Sequence, residues 1–329
     1  MKAIKTLAMA ALATAVFASC SNDEDLAQSN YPMDNVVRIM TSVDGMNTRA
    51  SYGNSTDKLN SFGFCINNAG SDKYTYDNIK VTKEGNNWNP ATQMLWQNST
   101  TAVDILAYAP YQETTEDASG KVKVFGKTDY AFSVKENQSD AEDYSSDLIV
   151  YKQTGFKPGT ELNTSKAVDV TFTHLLSQLN LTIELRDQFN QDEKKPVTSA
   201  TVTDVKVDGT FIRSKVNFAA DPISVLRDGH ASTAITPETV AFKKADKTTD
   251  HATFKYSAIV IPQKVIAGQL CIKFKVDGTD YIWTGTSDVE FVSGKKYDLL
   301  LLVGKDVVQV KGITATPWGK ETIIEKETD

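Results

Sequence analysis

The sequence predicts an all-β protein, arranged as two tandem β-sandwiches behind a secretory leader. Three observations point there. Helical periodicity is almost absent along the chain. Thr, Val, Ser, Tyr and Asp are abundant, a composition that suits pleated strands and the turns between them. Short runs of alternating apolar and polar residues recur between polar turns, about seven in each half, as in sandwich folds.

The leader comes first. Lys2 and Lys5 precede an apolar run from Leu7 to Ala18, which has the form of a secretory signal and is too short to span a membrane. The ending Phe17-Ala18-Ser19-Cys20 resembles a bacterial lipobox, with Phe17 where Leu is more usual. That likeness implies residues 1–19 as a signal peptide, acylation of Cys20 and attachment to the outer membrane. The other reading is a plain secreted chain with a free cysteine. Residues 20–35 form an acidic tether, and its Ser21-Asn22-Asp23-Glu24-Asp25 resembles the surface-export signal of Bacteroidetes lipoproteins. Loss of Lys2 and Lys5 with the leader takes the formal charge from −7 to −9. An acidic chain without a basic run argues against nucleic acid as a partner.

The first strand is expected over residues 36–43. Val37, Ile39, Thr41 and Val43 share one face and Val36, Arg38, Met40 and Ser42 the other, the pattern of a half-buried strand. Arg38 lies inside it and is expected to be poorly accessible. A polar loop follows, Asp44 to Arg49, and a trypsin-like cut between Arg49 and Ala50 would detach the strand. The alternative is an ordinary edge strand followed by a chance arginine. Further strands are expected near 61–67, 74–82, 92–96, 102–109, 122–134 and 147–152, with turns at Asn86–Pro90 and Asn98–Thr101. The Gly- and Pro-containing stretch Gln153 to Ser165 reads as a hinge, placing a first domain over 36–158 and a second over 159–329. In the second, strands are expected near 167–172, 174–185, 200–208, 212–218, 253–261, 268–276, 279–284, 288–291, 296–303 and 306–315. Cys65 and Cys271 sit in strand-like runs and read as buried small apolar residues rather than a disulfide.

A family resemblance becomes specific along this order. Leu95-Trp96 followed by Val103 to Tyr111, then Asp147-Leu148-Ile149-Val150, resembles the first domain of fimbrillin-like proteins, subunits of Bacteroidetes type V pili. Phe172-Thr173-His174-Leu175-Leu176-Ser177-Gln178-Leu179 is similar to the opening of their second domain. Ile261-Pro262-Gln263, Phe291 to Tyr297 and Thr316-Pro317-Trp318 are similar to later landmarks. The resemblance implies two transthyretin-like β-sandwich domains. It implies a lipoprotein precursor matured by an arginine-specific protease, with Arg49 in the place of that cut. It further implies head-to-tail assembly with other fimbrial subunits by exchange of a strand, supporting adhesion. The strand displaced is the one carrying Val37, Ile39 and Val43. The donor in this family comes from the C-terminal region, where Val307, Val308, Val310 and Ile313, and beyond them Ile323 and Ile324, offer apolar side chains. The competing view is that 306–315 is simply the last strand of the second sandwich.

Nothing in the sequence requires catalysis or a cofactor. GxSxG, HExxH, Walker-type and dinucleotide fingerprints are absent. His174 lies in a strand-rich stretch and reads as a structural, hydrogen-bonded residue, while His230 and His251 read as solvent-facing loop residues. Asp140, Glu142 and Asp143 read as a solvated acidic patch whose spacing fits no known calcium loop. Tyr74, Tyr76, Trp88, Trp96, Trp283 and Trp318 read as core aromatics. A surface glycan-binding lipoprotein is the alternative, and it needs two or three of them exposed together on one face.

Overall fold

The computed structural model describes residues 30–43, 52, 56–113, 123–190, 196–229, 232–245 and 251–318. It is nearly all β. The first strands are β1 (Ile39–Val43), β2 (Ser61–Asn67), β3 (Tyr76–Glu84), β4 (Asn87–Pro90), β5 (Val103–Ala109), β6 (Tyr130–Ser133) and β7 (Ile149–Phe156). Next come β8 (Val168–His174), β9 (Ser177–Leu185), β10 (Val202–Asp208), β11 (Arg213–Asn217), β12 (Ser224–Arg227), β13 (Glu238–Lys243) and β14 (Ala252–Val260). The last are β15 (Gln263–Val265), β16 (Cys271–Val276), β17 (Thr279–Thr284), β18 (Val289–Phe291), β19 (Lys295–Val303) and β20 (Val308–Pro317). Two single α-helical turns, α1 (Pro158–Glu161) and α2 (Asp187–Asn190), and a 3-10 turn at Asp72–Tyr74 interrupt them. Among the described residues no helix is long and apolar enough to cross a membrane.

A seven-stranded sheet runs in the order β1-β8-β7-β5-β2-β3-β4, and a five-stranded sheet in the order β13-β14-β9-β19-β20. Smaller sheets are β10-β16-β17, β12-β11-β6 and β15-β18. Nearly all pairings are antiparallel; β1 with β8 and β9 with β19 are parallel.

The seven-stranded sheet is buried on both faces at its centre. In β5, Ile105 and Ala107 enter one core with Phe62, Phe64 and Phe172, while Leu106 and Tyr108 enter a second with Tyr130 and Phe218. A strand covered on both sides has no polar face, so β2 and β5 read as apolar runs. The second core continues without a break into residues of β9, β14, β16 and β19.

Strand membership crosses the division expected near residues 158 and 159. β8, expected to open the second domain, hydrogen-bonds to β1 and β7 in the first sheet, because Val168, Val170 and Phe172 complete its core. β6 in turn pairs with β11. The stretch expected as a hinge is pinned: Phe156 and Leu162 are buried, and the Gly159 N–H donates to the Ser99 carbonyl at 2.7 Å.

Other differences are local. Residues 92–96 form no strand, only a bridge from Leu95 to Val36, since β1 takes the neighbouring edge of the core. Asn86–Pro90 is not a turn throughout. The turn is Gly85-Asn86, with Gly85 at φ 61°, and Asn87 to Pro90 return as an edge strand where proline is tolerated. Cys65 is fully buried, and that burial pushes its thiol up to about 12, whereas Cys271 is half-buried.

Candidate functional site

The site that the fold sets apart is the edge made by β1. It has one ladder neighbour, β8, paired in parallel register from Ile39 with Val168 to Val43 with Phe172. Parallel pairs are slightly weaker per residue than antiparallel ones. Flanking bonds extend the attachment: Val37 N–H to the Met94 carbonyl at 3.0 Å, Trp96 N–H to Asn35 at 2.8 Å, and Val168 N–H to Arg38 at 2.8 Å. Val37, Ile39 and Val43 are buried as the alternation predicts. Each contributes on the order of 1.5–3 kcal/mol through burial. They share one core with Val168, Val170 and Phe172 of the adjoining strand and with Phe62 and Trp96, all nearly inaccessible. Removing β1 would uncover that apolar floor together with an unpaired ladder edge on β8. Between β1 and β4 lies a cleft of about 600 Å³, lined in part by Arg38, Met40, Lys83 and Trp88.

Arg38 differs from expectation. It sits on the outward face of the alternation, its side chain is exposed, and its guanidinium donates to Asp34 at 2.6 Å. What limits access at Arg38 is its strand-bound backbone, not a buried side chain. The Arg38 guanidinium, followed by the Val36 N–H, holds the Asp34 carboxyl at about 2, below its ordinary 3.8. A lowered carboxyl favours the folded state above its ordinary pKa, and that preference is lost as pH falls through the folded value. Arg38→Ala is therefore expected to return Asp34 toward 3.8 in an NMR titration; an unchanged midpoint would assign the shift elsewhere.

The far edge of the other large sheet is β20, where the candidate donor residues lie. It pairs antiparallel with β19 from Lys295–Pro317 to Val303–Val308 and is the last strand of the five-stranded sheet. Val308 and Ile313 are half-buried against the core and Val310 is exposed. Gly312, at φ 149°, takes up a register shift opposite Leu300 and Leu301. Cys20, Arg49, Ala50, His230, Ile323 and Ile324 lie outside the described residues.

His174 is buried and bonded to Asp147 at 2.9 Å, in keeping with a structural role. His251 is not a free loop residue: its ring lies between Glu184 at 2.8 Å and Asp187 at 2.9 Å and is largely covered. In the acidic patch, Asp143 pairs with Lys135, and Asp140 and Asp143 accept backbone N–H groups two residues on. Among the described residues no group of three His, Cys, Asp or Glu is placed to hold a metal. Trp96, Trp283 and Trp318 are buried, and Tyr74, Tyr76 and Trp88 are half-buried, so the six form no exposed platform.

Two partners of the site escaped the sequence reading. The sequence places Val168, Val170 and Phe172 at the start of the second domain, although their period-two burial matches that of Val37, Ile39 and Val43. Asp147, which accepts the Tyr52 backbone N–H at 2.9 Å, stands in a family landmark, but nothing in the sequence points to that bond.

The family model for fimbrillin-like proteins matches residues 48–318. The chain belongs to the fimbrillin-like family. The fold of this fimbrillin-like chain is similar to that of a Bacteroides uniformis protein with a suggested role in cell adhesion. The TM-score is 0.57 at 20% identity, over 87% of this chain and 99% of that one. A Bacteroides ovatus protein with the same suggested role gives a TM-score of 0.56 at 13% identity, over 87% and 98%. The tip fimbrial protein Mfa3 of Porphyromonas gingivalis gives 0.46 at 7% identity, over 85% and 99%. No curated protein matches the fimbrillin-like chain.

Proposed function

We propose that this fimbrillin-like chain is a structural, non-enzymatic subunit of a cell-surface fimbria that supports adhesion. It is exported as a lipoprotein on Cys20, anchored in the outer membrane, and matured by an arginine-specific protease that cuts between Arg49 and Ala50. It joins other fimbrial subunits head to tail, each accepting a strand in place of β1. The observation that carries this reading is the seating of β1: three buried side chains on a strand with one parallel neighbour, over an apolar floor. An edge of that kind is a template for another strand. Backbone bonds would satisfy the ladder, alternate side chains would fill the places of Val37, Ile39 and Val43, and repetition gives an open fibre. β20, an edge strand with mostly exposed side chains, is the proposed donor.

Mass spectrometry of the protein purified from cells, together with protease treatment of the precursor, tests this. An acylated Cys20 on the precursor and a start at Ala50 on fibre-associated protein are expected, with loss of the N-terminal segment and appearance of multimers after cutting. Fibre-associated protein that still carries residues 36–49, or cut protein that stays monomeric with every partner subunit, overturns the reading.

A further inference from the structure

The chain is already seated at Asn30, well before β1 begins. The Asn30 side-chain amide donates to the Leu162 carbonyl at 3.0 Å, and the Asn35 carbonyl accepts the Trp96 N–H at 2.8 Å. Between them Pro32 is buried, and its carbonyl accepts the Asn35 N–H at 3.1 Å across a tight turn, with Asn35 at φ 58°. The turn leaves Met33 97% exposed. One apolar side chain in water needs no explanation, but Met33 has apolar neighbours. Val36 is bridged to Leu95, and the Leu95 N–H donates to the Tyr76 hydroxyl at 2.9 Å. The Tyr31 phenol is raised first by burial and then by Tyr74, which places Tyr74 beside it. Leu95 is exposed, and Tyr31, Val36, Tyr74 and Tyr76 are half-buried.

The charges at this end offset one another. Asp34 is bound by Arg38, and Asp72 adjoins Lys73, whose ammonium lies 5.3 Å from the centre of the Tyr74 ring. Tyrosines around a bare apolar side chain, with little net charge, suit the boundary between water and acyl chains. There a ring lies against the lipid while its hydroxyl stays wet. The length of the chain says what faces this end. Asn30 is ten residues from Cys20, at most about 36 Å when fully extended. Under the lipid attachment proposed above, on which this inference rests, the turn at Met33 stays within that distance of the bilayer. So short a tether gives an effective concentration of roughly millimolar, enough to populate a contact too weak to hold free protein.

We infer that Tyr31, Met33, Val36, Tyr74, Tyr76 and Leu95 form a lipid-docking patch that turns this end of the anchored subunit to the membrane surface. Met33 enters the acyl boundary and the tyrosines lie at headgroup level. Docking gives the subunit one orientation on the membrane, which a tether alone does not.

Tryptophan fluorescence on vesicles tests it. The chain from Cys20 onward, with Cys271→Ser, carries a phospholipid joined to the Cys20 thiol through a maleimide; Cys65 is fully buried and does not compete. On phosphatidylcholine vesicles with brominated acyl chains, Met33→Trp is expected to lose about half of its added emission relative to unbrominated vesicles. Leu226→Trp, at a 65% exposed position on another sheet, is expected to lose none. Tyr74→Asp and Leu95→Asp, added to Met33→Trp, are expected to abolish the loss. Should that variant not fold, Leu95→Gln alone carries the comparison. Equal quenching of Met33→Trp and Leu226→Trp overturns the patch, as does quenching that the added substitutions leave unchanged. Shielding of Met33→Trp that grows with protein density on the vesicle, without bromine quenching, assigns the patch to a second subunit and overturns lipid docking. The lipid is supplied chemically, so docking by a protein whose Cys20 is bare in cells counts against the proposed function alone. An acylated Cys20 without docking counts against the patch alone.

Discussion

Arg49→Ala precursor incubated with an arginine-specific protease is expected to keep its N-terminal segment and remain monomeric, while wild type loses the segment and forms multimers. The physical reason is the tether. Val37, Ile39 and Val43 are buried, and at about 1.5–3 kcal/mol each β1 does not leave spontaneously. While the chain is intact, a short connection also holds β1 near its groove at an effective concentration of roughly millimolar. Cutting makes rebinding bimolecular. At micromolar protein that is a loss of about a thousandfold, near 4 kcal/mol, the same order as the burial of β1. A competing strand then has an open site. Arg38 is exposed but directly precedes β1, its carbonyl bound by the Val168 N–H, so it is not expected to replace Arg49 as the cut. Gel filtration and N-terminal mass analysis read both outcomes. Equal assembly by Arg49→Ala and wild type would sink the maturation switch.

The largest effect on stability is expected at the floor of the groove. Phe172 is fully buried, lies opposite Val43 in the ladder, and meets the Phe62 ring edge-on at 5.4 Å. Phe172→Ala is expected to cost about 3–5 kcal/mol in urea unfolding, because the removed ring leaves a cavity that β1 and β2 close only in part. Met40→Ala, on the exposed face of β1, is expected to change stability by no more than about 0.5 kcal/mol. Similar losses for the two variants would mean that β1 does not cover a packed core at Phe172.

Alternation made much of the fold legible. Residues 61–67 and 279–284 form strands with the expected limits, and the inward face of β1 was readable from Val37, Ile39 and Val43. Strands without that signal were missed. β12 reads Ser-Val-Leu-Arg with Leu226 exposed, and β13 alternates in burial but begins its inward face with an acid, Glu238, so its pattern is weak in sequence. β4 was hidden by its composition: Asn-Trp-Asn-Pro has the residues of a turn, but the tight Gly85-Asn86 turn before it forces a return strand. The partner of β1 was missed for a more general reason. Period two tells which face a strand buries but not which strand lies beside it, and β8 is placed by the shape of the core. Asp147 shows the same limit, since a buried acid bonded to distant chain is indistinguishable in sequence from a surface acid.

The parallel partnership of β1 and β8 also fixes a timetable. Ser42 touches Thr171, 129 residues further along the chain. At about 5–20 residues per second, roughly 6–26 s of synthesis separate the two strands. Throughout that interval Val37, Ile39 and Val43 lack their ladder partner, and a nascent apolar strand is prone to wrong partners. Asp34 and Arg38, paired at the surface of the finished molecule, flank and interrupt that apolar run. Charges in such places act as gatekeepers against premature β pairing. The outward face of β1 thus bears on the chain as it is being made, before its inward face has the strand it will lie beside.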